Sequence, residues 1–285
     1  GAAYVVCTGY AKIITDKLGI PASCEVTGGS VHNPQLVHAG KATFGHVAQG
    51  SAYQAFTGEG WAKGKKFDNI RAVWPAYPQY FHGWTLPKTG IKTFRDIEGK
   101  IVSGGPAGGT SDLYLREFCR VLGITPKRFV ASAFGDTVGQ LRDGLLDAAF
   151  ASTGVPHPAA NEVASTLDGI QIGFTEKDLQ KTLDEFPYLS PGVIKANTYK
   201  GQPEPIATNA DWVAEFTHKD MPEDFIYEVV KQLFANKETL VATHKALRDM
   251  LEENVQYVSL PLHKGAYRFF KEINLTVPKK AMPID

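Results

Sequence analysis

The chain has 285 residues, 43% hydrophobic and 21% charged, enough for one large domain or two lobes with cores of their own. Thirty basic and thirty acidic residues cancel, so no basic field exists to hold a nucleic-acid backbone, and no apolar run approaches the roughly 20 residues of a membrane span. The opening GAAYVVCTGYAKIITDKLG reads as a glycine loop entering a helix that runs to about Lys17 and ends at Gly19. No strand precedes it, so a leader and a first strand are expected upstream. ASCEVT then reads as a short strand, GGS as a turn, VHNPQLVHAG as a helix, ATFGHVAQ as a strand and SAYQAFTG as a helix closed by Gly58. NIRAVWPA and YFHGWTLP read as two further strands.

A second unit of the same kind follows. KTFRDIEG is a short helix and KIVSG a strand; a glycine loop leads into the helix Ser111–Leu122, capped by Gly123. RFVASA, DAAFAS and GIQIGF are strands; between them DTVGQLRDG is a helix and GVPHPAANEVAST a loop and helix. LSPGVIKANTYKGQPEPIATNADWVAEF holds two extended runs rich in Pro and Gly, and PEDFIYEVVKQLFANKETLVATH and YRFFKEIN return to helix. The rhythm predicts an α/β protein with two lobes, each a doubly wound, mostly parallel sheet. Lobe I is expected at 1–82 and 212–285 and lobe II, inserted in it, at 83–211, with hinge strands near 79–86 and 190–215. A cleft between such lobes is the default ligand site, and lobes on strand hinges close around ligands.

Two glycine loops precede helices: Thr27-Gly28-Gly29-Ser30 and Gly104 to Ser111. Free N–H groups in a first helical turn, with the positive end of the dipole, favour an anion. Thr27, Ser30, Thr110 and Ser111 add hydroxyls, which serve equally as ordinary caps. One such loop per lobe points to a small ligand gripped from both sides. Nucleotide registers fail: Pro106 interrupts a G-x-G-x-x-G reading, and no Gly-Lys-Ser/Thr follows the loop. No G-x-S-x-G elbow, H-x-H or H-E-x-x-H occurs, so no catalytic residue, metal or cofactor is assigned. Gln49, at a strand's carboxyl end, is placed either to touch ligand or to cap a helix. His46 reads as a satisfied interior group, and His157 lies near a loop tip. Within the aromatic run Trp74 to His82, Tyr77 is the candidate ligand contact, with hinge packing as the plainer alternative. Cys7, Cys24 and Cys119 lack C-x-x-C spacing. Three buried free thiols are the plain expectation, with pairing of Cys7 and Cys24 left open.

TGGSVHNPQLVHAGKATFGHVAQGSAYQAFTG resembles a segment of the TAXI-type solute-binding proteins of TRAP transporters. The resemblance continues through IRAVWPAYPQYFH, TGIKTFRDIEGKIVSGGPAGGTS, LRDGLLDAAFASTGVPHPAANEVA, YKGQPEPIAT, MPEDFIYEVVKQLF and LPLHKGAYRFFKE, nearly the whole chain in order. It implies a type II periplasmic-binding-protein fold, a periplasmic location and no enzymatic activity. The implied ligand is a small organic anion such as glutamate, a 2-oxoacid or a dicarboxylate; the implied partners are membrane permease subunits of a TRAP transporter, and a monomer is expected. The implied ligand contacts are Tyr4, Thr27, Gly28, Gly29, Ser30, Asn33, Gln49, Tyr77, Gly108, Gly109, Thr110 and Ser111, with Gly154, Val155 and Tyr199 at the margin. Many relatives read Gly-Thr-Arg where this chain has Gly109-Thr110-Ser111. Without an arginine to pair with a carboxylate bidentately, the grip rests on N–H groups, hydroxyls and the helix dipole. The alternatives are an enzyme of the thiamine-pyrimidine-synthesis kind, which shares the fold, and a ligand sensor without transport.

Overall fold

A computed structural model describes residues 2–285. The chain divides into two compact units, one comprising the chain up to Pro78 together with Trp212–Asp285, the other Gln79–Asp211. The first boundary lies four residues before the position read from the sequence, because NIRAVWPA and YFHGWTLP are not two strands but one.

The first unit opens with α1 (Ala2–Leu18), closed by Gly19 at a φ of 67°. The expected strand ASCEVT does not form: residues 19–28 carry no regular structure, and a Cys7–Cys24 disulfide fastens them to α1. The expectation of three free thiols is corrected accordingly; Cys119 alone is free, and it is buried. A 3-10 turn (Gly29–Val31) leads into α2 (Asn33–His38), then β1 (Phe44–Ala48), α3 (Gln49–Thr57) and β2 (Ile70–Thr85), along which the chain passes into the second unit.

The second unit continues with β3 (Ile101–Ser103), α4 (Thr110–Leu122), β4 (Arg128–Phe129), α5 (Phe134–Arg142), β5 (Ala148–Thr153), α6 (Pro158–Thr166), β6 (Ile170–Ile172), α7 (Glu176–Glu185) and β7 (Leu189–Ile194). α7 has no counterpart in the sequence reading. It is too polar to show a broad apolar stripe, and it is started by Thr175, whose hydroxyl accepts the Asp178 N–H. β8 (Ile206–His218) returns the chain to the first unit, which ends with α8 (Glu223–Ala235), α9 (Lys237–Thr243) and α10 (Lys264–Glu272).

The strand pairing is mixed rather than mostly parallel. β3 runs parallel to β4 and β5. β2 is antiparallel to β5 and β6, and β8 is antiparallel to β7 in the second unit and to β1 in the first. The two long crossing strands produce this, because each runs against the βα progression it joins. The first unit's core packs Tyr10, Ile13 and Ile14 of α1 with Val229, Val230 and Leu233 of α8 and Phe269 and Phe270 of α10. In the second unit one face of the β2–β5 pair carries Phe81 and Phe150, stacked at 5.6 Å, with Phe118 edge-on to Phe81 at 4.8 Å. The opposite face carries Trp84 with Ala149, Ala151, Ala160 and Val163. Among the described residues, no helix is long and apolar enough to cross a membrane.

Candidate functional site

In the second unit the sequence Ser103 to Ser111 forms a cradle at the head of α4. Two glycines are needed for close approach. A Cβ on Gly104 would lie 2.6 Å from Asp112 Cα, and one on Gly105, whose φ is 87°, would lie 2.5 Å from the Phe134 ring. The loop therefore lies tight against the helix start. Gly109 is the N-cap residue, so Thr110, Ser111 and Asp112 occupy the first turn, where backbone N–H groups have no partner within the helix. Thr110 is exposed.

Ser111 is buried, and its hydroxyl oxygen accepts the Ser152 N–H at 2.9 Å, tying α4 to β5. Asp112, the third residue of the turn, was not singled out in the sequence. Its carboxylate accepts the Gly108 N–H at 3.1 Å and faces Arg116 Nε at 3.1 Å. The position, three residues after a helix cap, is where an acid ordinarily reaches back to a loop, so a signal was present. The cradle thus holds a negative charge of its own, countered one turn along by an arginine. Gly154 and Val155 lie between β5 and α6 in this same unit, Gly154 exposed and Val155 half-buried.

Tyr199 does not face solvent. It is buried in the second unit's core, its hydroxyl 2.8 Å from His82 Nε2 and accepting the His157 N–H at 2.8 Å. Burial pushes its phenol up to about 12. The resemblance implied a ligand contact there; in this structure the oxygen is committed to the fold.

In the first unit the turn from Thr27 to Asn33 is bonded largely to itself. Thr27 Oγ1 donates to Asn33 Oδ1 at 2.5 Å and accepts the Gly29 N–H at 3.2 Å. Gly28 N–H donates to His32 Nδ1 at 3.2 Å, and Asn33 Nδ2 donates to the His46 carbonyl at 2.8 Å. Ser30 Oγ accepts the Ala48 N–H at 3.1 Å, joining the turn to the residue before α3. Asn33 therefore holds the turn on β1 rather than presenting its amide outward.

Gln49 is fully buried, and its amide is engaged at both ends. Nε2 donates to the Tyr257 carbonyl at 2.7 Å, and Oε1 accepts the Ser259 N–H at 2.6 Å and its hydroxyl at 2.8 Å. It locks the 257–259 segment to the start of α3, so its amide is spent on the fold. Tyr77 is likewise nearly buried, with its hydroxyl 2.9 Å from His46 Nε2. Burial, and next the charge of Glu215, raise its phenol well above the ordinary range. His46 Nδ1 lies 2.5 Å from Glu215 Oε1, directly across the β1–β8 pair. His46 is the satisfied interior group that alternation implied, though its partners lie 31 and 169 residues away and left no trace in the local sequence.

Tyr4 was expected in a glycine loop that enters the first helix, as an implied ligand contact. It lies instead on α1, exposed, along a shallow groove shared with Thr8, Lys12, Asp16 and Ser23. Among the described residues, no group of three or more His, Cys, Asp or Glu could hold a metal ion.

Comparison with solved structures identifies the architecture. The chain is similar to XAC2383 from Xanthomonas citri bound to chloride ion, at 10% identity and a TM-score of 0.53, over 95% of this chain and 91% of that one. It is also similar to substrate-binding domain 2 of Lactococcus lactis GlnP in its open conformation, at 16% identity and a TM-score of 0.42, over 87% and 85%. An ancestral arginine-binding protein bound to glutamine matches at 15% identity and a TM-score of 0.43, over 85% and 86%. The fold is the mixed α/β, two-domain periplasmic-binding-protein fold. A family model matches residues 1–273, and the chain belongs to the NMT1-like family.

Proposed function

We propose that this protein is an extracytoplasmic solute-binding protein that captures a small organic anion and hands it to a membrane transporter. The observation that carries the reading is the head of α4: a glycine cradle closing on a first helical turn whose N–H groups have no partner within the helix, with no basic side chain among residues 104–111. The Cys7–Cys24 disulfide supports an oxidising compartment outside the cytoplasm. The long ordered resemblance to TAXI-type proteins favours a TRAP permease as the membrane partner. Amino-acid transporter proteins stand among the structural neighbours, but their likeness lies at or below 16% identity and says nothing of the ligand here.

Capture without turnover is the reading favoured over an enzyme of thiamine-pyrimidine type. That chemistry calls on cysteine, and here two cysteines are paired while burial pushes the third, Cys119, up to about 12. Asp112 inside the cradle and the missing arginine favour a ligand of single charge over a dicarboxylate. The test is thermal unfolding against a panel of mono- and dicarboxylates. A bound ligand at 100 times its Kd adds about 2.7 kcal/mol of stability. Stabilisation by a monocarboxylate exceeding that by its dicarboxylate analogue is expected. No shift across the panel, or conversion of any member to product, overturns the proposal.

A further inference from the structure

The second unit contains a buried hydrogen-bonded relay that the anion cradle does not use. His82, on β2, is 1% exposed. Its Nδ1 lies 3.3 Å from the Tyr80 carbonyl oxygen and its Nε2 lies 2.8 Å from the Tyr199 hydroxyl. A carbonyl only accepts, so the one proton of the neutral ring is on Nδ1. Nε2 is then the acceptor, and the Tyr199 hydroxyl donates to it. The same phenol oxygen accepts the backbone N–H of His157, the residue immediately before α6. The relay is therefore directional: His157 N–H to Tyr199 oxygen, Tyr199 O–H to His82 Nε2, His82 Nδ1–H to the Tyr80 carbonyl. Its outer end anchors the turn Gly154–Val155–Pro156–His157. The His157 ring is itself held, stacked on Trp84 at 4.9 Å and edge-on to Phe134 at 4.9 Å.

A second proton on His82 breaks this order. Nε2–H would then point at the phenol proton, which must rotate away inside a buried space, and a cation would sit among aromatic rings. The titratable groups facing His82 are Tyr199 from the segment before β8 and His157 from the head of α6; from its own strand it meets the Tyr80 carbonyl and the Trp84 ring. Burial, reinforced by His157 and opposed by the Tyr80 carbonyl, holds the ring down to about 4 from its ordinary 6.5.

We propose that His82 and Tyr199 are positioning residues for the Gly154–His157 turn, and that protonation of His82 releases that turn. As far as solute is concerned this rests on the proposed function, together with the resemblance that puts Gly154 and Val155 at the margin of the ligand contacts. The relay itself does not depend on that reading. The turn is fixed at neutral pH and loosens in acid.

The experiment is hydrogen–deuterium exchange on the full chain without solute, corrected for intrinsic exchange, from pH 7 to 4.5. Backbone amides of 154–160 report the turn, and those of β5 serve as the internal reference. In the wild type, protection of 154–160 should fall at least tenfold toward pH 4.5 while β5 keeps its protection. His82→Gln retains an acceptor for Tyr199 and does not titrate, so its protection should stay flat with pH. Tyr199→Phe should show low protection throughout. An unchanged pH response in His82→Gln, or full protection in Tyr199→Phe, overturns the proposal. Should either variant lose β5 protection through misfolding, nitrogen NMR of the wild-type histidines decides: a proton on Nδ1 is expected, and a proton on Nε2 at neutral pH overturns it. Because no solute is present, failure of the transport reading would leave these results unchanged.

Discussion

Gln49 shows how a residue can be located correctly in sequence while the partners that engage it stay hidden. The carboxyl end of β1 was legible, and so was the value of an amide there. Its partners, Tyr257 and Ser259, are more than 200 residues away, and nothing local announces them. Gln49→Leu leaves a buried carbonyl, N–H and hydroxyl without a partner, which costs about 1–3 kcal/mol for each unsatisfied group. We expect a lowered urea midpoint for that variant, with solute affinity retained in the fraction that folds; a normal midpoint with affinity lost would return Gln49 to the binding site. Tyr77, Tyr199 and Asn33 repeat the pattern. Each has hydrogen-bonding capacity that sequence reasoning directs at a ligand and that the fold uses for itself. Glycines were read more securely, since Gly19, Gly58 and Gly123 all stand at helix ends in the left-handed region that L residues avoid.

At the level of elements, the helices with a wide apolar face and a glycine stop were legible, whereas α7 and the single long β2 were not. Proline-broken β2 looks like two strands because Pro75 and Pro78 are turn signals in isolation; only the second unit's boundary reveals one continuous crossing. The Cys7–Cys24 bridge was undecidable because its two segments share no motif. In the chain-entropy account a loop of this size contributes roughly 3 kcal/mol. Cys7→Ser with Cys24→Ser should therefore lower unfolding free energy by about that amount in non-reducing urea titrations, and reductant should do the same to the wild type. α4 carries a prediction about charge. Asp112→Asn keeps an acceptor for Gly108 N–H but removes a negative charge beside the proposed anion site and frees Arg116. Carboxylate affinity should rise by on the order of tenfold, about 1.4 kcal/mol, measured by calorimetry at low salt and shrinking at high salt. Weaker binding in that variant would argue that Asp112 holds the cradle's shape and that its charge is unimportant.

Across the whole molecule, buried histidines tie stability to pH. His82 is held down to about 4, and burial also lowers His157 and His263; the latter caps α10 by accepting the Gly265 N–H and faces the Met221 carbonyl. A histidine depressed in the folded state contributes its full stability above its unfolded value near 6.5 and loses it as pH falls through the folded value. His82 alone removes up to about 3 kcal/mol between pH 6.5 and 4, a large share of the roughly 5–15 kcal/mol typical of a folded protein. Unfolding free energy measured at successive pH values should decline through that window, and His82→Gln should flatten the slope. A profile that stays level to pH 4 would mean that His82 is solvated. The division of the chain has a further consequence for the order in which the protein takes shape during synthesis. The second unit is one uninterrupted stretch ending at Asp211, whereas the first is assembled from both ends of the chain. α1 packs against α8 and α9, which lie beyond the second unit in the chain, so the core of the first unit can close only after the whole stretch of the second unit has been made. Until α8 and α9 join it, the apolar side of α1 lacks its cover, so a chain truncated shortly after Asp211 should hold one folded unit and one unfolded one.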